Sequence, residues 1–303
     1  MDVLGREDLI RAARAGSTWM RYDQLWRGFA AFCDVNSVPC LPATPDTVVL
    51  YLVHLVNSGR GASAGAVLAA VKASHLEAEL PDPTSARSVK LAAEGAARLA
   101  AEVKPWPRER LPFPVEALRL FLKSPAFREP LGLRDAALLA VGLRLMLRPG
   151  ELTKMKMADL RFEEGGVLVR LGRTKADQKA ERRPVFIEEV SARHCPVKLS
   201  RELIRRRKAE GATDSNLVFV SHSGTSLSSS AVTSIVRRVA ELAGVKGRFS
   251  GHSLRIGGAS AALAGGLSVD QVKAVGGWKS DTVKQYLAPV LLSSTSVSQL
   301  MGF

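Results

Sequence analysis

Four short stretches hold residue types that can act together chemically. In GHSLRIGG, residues 251–258, His252 and Arg255 stand three apart. On a helix that spacing puts imidazole and guanidinium on one face, where both can donate hydrogen bonds to a single target. The natural target is an anion. In GLRLMLRPGELTKMKMADL, an R-P-G-E turn sets Arg148 and Glu151 three apart directly after an apolar helix. In GRTKADQK, Lys175 falls at or near the tip of a hairpin, with Lys179 as its competitor. GGWKSDTVKQY places Trp278 eight residues before Tyr286, and the other two tyrosines, Tyr22 and Tyr51, lie far upstream. A lone H-x-x-R is a weak motif, so the argument rests on the combination.

In chain order these residues resemble the signature of the tyrosine recombinase or phage integrase family. That signature is an Arg with Glu three later, a hairpin Lys, H-x-x-R, a His or Trp, and a final nucleophilic Tyr. The resemblance covers about residues 113–290. It implies a site-specific DNA recombinase that cleaves and rejoins strands through a 3′-phosphotyrosyl intermediate and a Holliday junction, with neither metal nor nucleotide cofactor. A phosphodiester under attack gains negative charge, so fixed cations aimed at its non-bridging oxygens lower the barrier. Arginine suits that task, because its planar fork stays protonated and grips two oxygens at once. The resemblance therefore assigns Arg148 and Arg255 to the phosphate, with Arg144 an alternative to Arg148 that lacks a Glu three residues on. The resemblance makes Tyr286 the expected nucleophile, whose phenol, with a pKa of about 10, needs a partner such as His252. It likewise implies Lys175, or its competitor Lys179, as general acid for the leaving 5′-oxygen. Trp278 offers a donor-only indole N–H to phosphate, or is a core aromatic, and Glu151 orients the cations. Cre-like members usually separate the last two positions by nine residues rather than eight, a rotation of about 100° on a helix.

The elements that must position these groups fall into two parts. The first 104 residues hold eleven basic and eleven acidic side chains, while the remainder holds 32 basic and 18 acidic ones. The whole net charge of +14 thus lies in the second part and points to a polyanion, nucleic acid ahead of a membrane surface. VVLYLVHLV at 48–56 is too short to span a bilayer, and the amino terminus does not read as a secretory signal, so the expectation is an intracellular protein with access to DNA. Three cysteines without C-x-x-C spacing read as reduced packing residues.

The expected fold is mainly α with a small β component. Residues 1–104 read as a helical core-binding bundle, 105–113 as a proline-rich linker, and 114–303 as a mixed α+β catalytic domain with a carboxy-terminal tail. In the bundle, Ser17 or Thr18 caps the first helix, Thr44 and Pro45 open the second, and Gly59 closes it. The aromatics Trp19, Tyr22, Trp26 and Tyr51 sit on apolar stripes and read as core, and His54, His75, His194 and His222 as structural or surface residues. Beyond the linker come helices near 115–124 and 130–147, a hairpin over 167–187, a helix through PVKLSRELIRRRKAE and a short strand LVFV. Helices near 228–243, 251–264, 268–276 and 279–287 follow, with Ser268 and Gln271 forming a capping box.

Arg173, Arg205, Arg206, Arg207, Lys208, Arg237 and Arg238 are candidate contacts to the DNA backbone, although the same residues fit ordinary solvated helix faces. The resemblance further implies a C-shaped clamp on double-stranded DNA, a largely monomeric free protein, and a homotetramer on two sites linked through the 17 residues after Tyr286. Two other readings share these residues: a type IB topoisomerase, and a DNA-binding protein that kept the fold without the chemistry.

Overall fold

A computed structural model describes residues 16–102, 111–172, 184–278 and Val283. The chain divides into two compact units, Met1–Arg108 and Glu109–Phe303, and the boundary falls within the proline-rich stretch. The fold is mainly helical with one small sheet. Among the described residues no helix is long and apolar enough to cross a membrane.

The first unit contains α1 (Gly16–Val35), α2 (Pro45–Asn57), α3 (Ala64–Glu77) and α4 (Arg87–Glu102). Thr44 caps α2 by accepting the Thr47 N–H at 3.2 Å, Pro45 fills the first helical position, and Gly59 takes φ +70° beyond its end. Ser17 and Thr18 lie inside α1 rather than capping it, because the helix is already under way at Gly16. The apolar faces of α1 and α2 meet those of α3 and α4 around Phe29, Tyr51, Leu52, Val67 and Val89. Tyr51 is core, as expected, and Trp26 packs against it, whereas Trp19 and Tyr22 are half-buried and meet edge to face. His75 is fully buried, its Nε2 accepting the Ala43 N–H at 2.9 Å. Its Nδ1 lies 2.8 Å from the Val71 carbonyl and must carry the proton, so the ring is neutral.

The second unit is built around α6 (Gly132–Arg144), whose residues 132–143 are all buried. A helix apolar nearly all round must be covered on every side. Here α5 (Val115–Phe121), α8 (Pro196–Ala209) and α10 (His252–Ala264) cover it. Each of Leu138 and Leu139, fully buried on α6, contributes about 1.5–3 kcal/mol by leaving water. The short helix α7 (Pro149–Leu152) follows α6, while α9 (Ser229–Leu242) and α11 (Val269–Gly276) complete the α-helices among the described residues. Ser268 and Gln271 cap α11 reciprocally, as their spacing predicts.

The sheet is antiparallel, in the order β1 (Leu160–Glu163), β2 (Gly166–Val169), β3 (Val185–Glu188). Val167 pairs with Ile187 and Val169 with Val185, which is the expected hairpin; its connection, 173–183, lies outside the described residues. β1 was not expected, since in LRFE only Leu160 is buried and four residues give little alternation to read. LVFV is not a strand. Val218 and Phe219 are fully buried, but the segment crosses the core making only single bridges, Lys156 to Leu217 and Val220 to Ser226. Burial without a neighbouring ladder produces the same apolar run as a strand would. The helix expected near 279–287 lies outside the described residues except for buried Val283.

Candidate active site

The glycines of GHSLRIGG set how closely α10 can approach its neighbours. A Cβ on Gly257 would stand 2.1 Å from the Phe113 carbonyl oxygen, and one on Gly258 2.1 Å from that of Leu143. A Cβ on Gly251 would meet the Pro149 ring at 2.4 Å. Side chains at these three positions would push α10 away from the Phe113 segment before α5, from α6 and from the R-P-G-E turn. The start of α10 is also fixed locally: the Gly251 N–H donates to Thr233 Oγ1 at 3.0 Å, and the His252 N–H donates to Ser250 Oγ at 3.2 Å. His252, half-buried, occupies the first turn.

Arg255, one turn further, is only 1% exposed. Its Nη1 donates to the Met146 carbonyl at 2.5 Å and to the Gly276 carbonyl at 2.9 Å. Its Cζ lies 3.6 Å from the centroid of the Trp278 ring, so the guanidinium is stacked on the indole face. Gly276 is small by necessity, since a Cβ there would overlap the Trp278 ring. Gly277 adopts φ +64° as it ends α11 and turns the chain towards Trp278. Two separated segments, the turn at Met146 and the Gly276–Trp278 end of α11, therefore fix one cation in a site largely shielded from water, where its field is screened weakly.

Arg148 is held by a different device. α6 ends in a Schellman motif, with the Leu147 N–H donating to the Gly142 carbonyl at 3.0 Å and the Met146 N–H to that of Leu143 at 3.2 Å. Met146, at the left-handed position, has φ +52°, where an L-residue costs about 1–2 kcal/mol relative to glycine. The chain then turns into α7 with Arg148 as its N-cap residue, and Glu151 Oε2 accepts the Arg148 backbone N–H at 2.5 Å. Glu151 Oε1 lies 3.6 Å from Arg148 Nη1. One carboxylate thus fixes both backbone and fork of Arg148, whose side chain stays 34% exposed and open to a ligand. Pro149 against Gly251, and the Met146 carbonyl on Arg255, bring Arg148, Glu151, His252, Arg255 and Trp278 into one region. Arg144 is elsewhere, lining an apolar groove of about 480 Å³ together with Val190 and Leu267. Lys175, Lys179, Arg173 and Tyr286 lie outside the described residues.

The other basic candidates separate into two groups. Arg205 and Arg206 are exposed and share Glu202, with Nε of each 2.7 Å from a carboxylate oxygen. Hydrogen bonds from Arg205 and then Arg206 hold the Glu202 carboxyl down to about 2. Lys208 pairs with Asp214 at 2.7 Å, and exposed Arg237 donates from Nε to the Phe249 carbonyl at 2.9 Å. Arg207 and Arg238 are turned inward. Arg207 donates to the carbonyls of Leu217 and Val218, and burial lowers its pKa. Arg238 lies over the Phe121 ring and pairs with Asp135, a 1%-exposed carboxylate that also binds Arg134 Nε at 2.8 Å.

Of the residues that hold Arg255, Trp278 was legible as a site residue, and Met146 and Gly276 were not. Met146 and Gly276 act through carbonyls, which every residue type carries, and the only signal was an excess of glycines at 257–258 and 276–277.

The sequence profile of the phage integrase family matches residues 114–290, more than half of the chain and all five residues gathered here. The chain belongs to the phage integrase family. It is 27% identical over 257 residues to an integrase/recombinase xerD homolog of Selenomonas ruminantium, covering 84% of this chain and 75% of the relative. It is 24% identical over 299 residues to the Cre recombinase of Escherichia phage P1, covering 89% and 84%. Its fold also matches that of a lambda integrase tetramer bound to a Holliday junction, with a TM-score of 0.55 and 20% identity over 91% of this chain and 74% of that one. Phage integrase family members are tyrosine recombinases, and this chain is a site-specific DNA recombinase that breaks and rejoins strands.

Proposed function

We propose that Tyr286 attacks a DNA phosphodiester held by Arg148 and Arg255. A bond forms between the phenolic oxygen and phosphorus as the P–O5′ bond breaks; His252 takes or shares the phenol's proton, and Lys175 gives one to the departing 5′-oxygen. Attack by a 5′-hydroxyl on the resulting 3′-phosphotyrosine reverses the step. One phosphoester replaces another each time, so the exchange is close to isoenergetic and needs no nucleotide. The observation that carries this reading is the fixing of Arg255 by two carbonyls and an aromatic face, a cation oriented before substrate arrives. Glu151 supports it by orienting Arg148.

Under the same proposal the first unit serves as the core-binding domain on double-stranded DNA, and the enzyme acts inside the cell, where that DNA is. Exposed Arg205, Arg206, Lys208 and Arg237 supply backbone contacts, with Arg173 from the hairpin. Four copies assemble on two sites, and residues 290–303 of one copy dock on the next, closing a ring. The apolar groove lined by Val190 and Leu267 suits the seven apolar residues between Val290 and Phe303.

Covalent trapping on genomic DNA maps the cleavage site, and a nicked duplex carrying it tests the chemistry. Wild-type protein forms a denaturation-resistant adduct, and Tyr286→Phe binds but forms none; an adduct with that variant removes Tyr286 from its role. Lys175→Ala slows cleavage, and a 5′-bridging phosphorothiolate, whose sulfur leaves without protonation, restores it. Recovery in Lys179→Ala instead transfers the role. Deleting residues 290–303 leaves single-site binding intact and abolishes pairing of two sites.

A further inference from the structure

Met146 stands where a Schellman motif normally has glycine, and its backbone is left-handed at φ +52°. Its side chain is 3% exposed and forms a small apolar cluster with Ala259, Val272 and Val283, against which Trp278 also packs. Glycine would suit the backbone better, so the side chain is the reason for a methionine here. Gly258 makes room for it: a Cβ at residue 258 would stand 3.1 Å from the Met146 Cγ. The two halves of this residue face different parts of the site. Its carbonyl holds Arg255 Nη1 at 2.5 Å, while its side chain shares a cluster with Val283, three residues before Tyr286. Three residues span at most about 10 Å, so a fixed Val283 restricts where Tyr286 can reach.

We propose that Met146 is a positioning residue that ties the Tyr286 segment, through Val283, to the same backbone turn that holds Arg255. The proposal rests on Tyr286 being the nucleophile.

Met146→Gly is the informative variant, because it removes the side chain while relaxing the backbone. On a nicked duplex carrying the mapped site, Met146→Gly and Val283→Ala should bind as wild type but form adduct slower by on the order of ten- to a hundredfold. Met146→Leu should restore most of the rate. The second readout replaces the tyrosine with hydrogen peroxide, a small nucleophile that attacks the same phosphorus and releases the same 5′-oxygen. It needs the arginines and not the Tyr286 segment. In a Tyr286→Phe background, adding Val283→Ala should leave peroxide-driven cleavage unchanged. Wild-type adduct formation by both variants overturns the proposal, and so does an equal loss of peroxide-driven cleavage, which would place the effect on Arg255 alone. If Met146→Gly fails to fold by its melting curve, Val283→Ala decides the question. An adduct formed by Tyr286→Phe alone would instead strike down the nucleophile assignment.

Discussion

Arg255 and Arg206 carry the same side chain, yet the first is 1% exposed and the second has a side chain 60% exposed. Carbonyls from two segments, one of which also supplies the Trp278 ring, fix Arg255. Arg206 shares a surface glutamate with Arg205. A shielded guanidinium acts at full strength on one phosphate in one geometry, and no reorganisation is needed when charge develops. An exposed one is hydrated, free to move, and screened over roughly 8–10 Å at physiological salt. Under the proposed function, the comparison gives rate to the first kind of arginine and affinity for DNA to the second.

The sharpest way to break the comparison is Arg255→Lys. Lysine keeps the charge but lacks the planar guanidinium that lies flat on Trp278 while its Nη1 holds both carbonyls. Single-turnover cleavage should fall by on the order of 10²–10³, as for loss of one preorganised donor, while DNA affinity stays close to wild type. A lysine variant that cleaves at the wild-type rate would show that charge alone suffices. Next in size is Gly258→Ala, whose methyl would collide with the Leu143 carbonyl, a backbone atom with little freedom to move. It should destabilise the protein by about 1–3 kcal/mol, read from denaturant midpoints. Gly150→Ala, with nothing within 4 Å of the new methyl, should be nearly neutral by comparison.

These two experiments mark where the sequence was legible. The hairpin pairing of Val167 with Ile187, the Thr44 and Pro45 start of α2 and the Ser268 capping box are local, and periodicity or spacing encodes them. The four motif stretches were legible because their residue types are rare in combination. The stacking of Arg255 on Trp278 joins residues 23 apart, and no local rule announces it. Met146 broke a rule outright, since a helix end with φ above zero calls for glycine, so the R-P-G-E turn was legible but the left-handed residue before it, whose carbonyl holds Arg255, was not. RRRK at 205–208 read as one basic face, but Arg207 points to the Leu217 and Val218 carbonyls, and side-chain direction within a run needs the packing.

Trp278 sharpens the comparison by asking what keeps Arg255 in place. Phenylalanine retains a ring face without an N–H, whereas histidine retains an N–H with a poorer face. If the stack matters most, Trp278→Phe should cleave faster than Trp278→His by roughly ten- to thirtyfold, the upper figure matching a desolvated cation–π contact of about 2 kcal/mol. The reverse order would assign Trp278 to phosphate through its indole N–H.

The smallest effect concerns Arg205 and Arg206, and here the observable is the dependence of binding on salt. Each phosphate that an arginine neutralises releases counterions and adds about 0.9 to the slope of log affinity against log salt. Replacing both arginines with alanine should therefore flatten the slope by roughly 2 if both meet DNA. Arg207 is best left in place, because it holds the Leu217 and Val218 carbonyls and its removal would confuse folding with binding. Glu202 gives the converse test. Its carboxyl, held down to about 2, is ionised at every pH at which the protein would be assayed, and it occupies both guanidinium groups in the free protein. A depressed pKa means the pairing is present above the carboxyl's usual range and lost only as pH falls towards 2, so no mild acid shift will release the arginines. Glu202→Gln removes the competing charge at neutral pH. Affinity should rise by a few-fold at low salt, the gain should shrink as salt increases, and cleavage by DNA-saturated enzyme should not change. Unaltered binding in both variants would return Arg205 and Arg206 to an ordinary solvated helix face and leave the charge of the second unit to be used elsewhere.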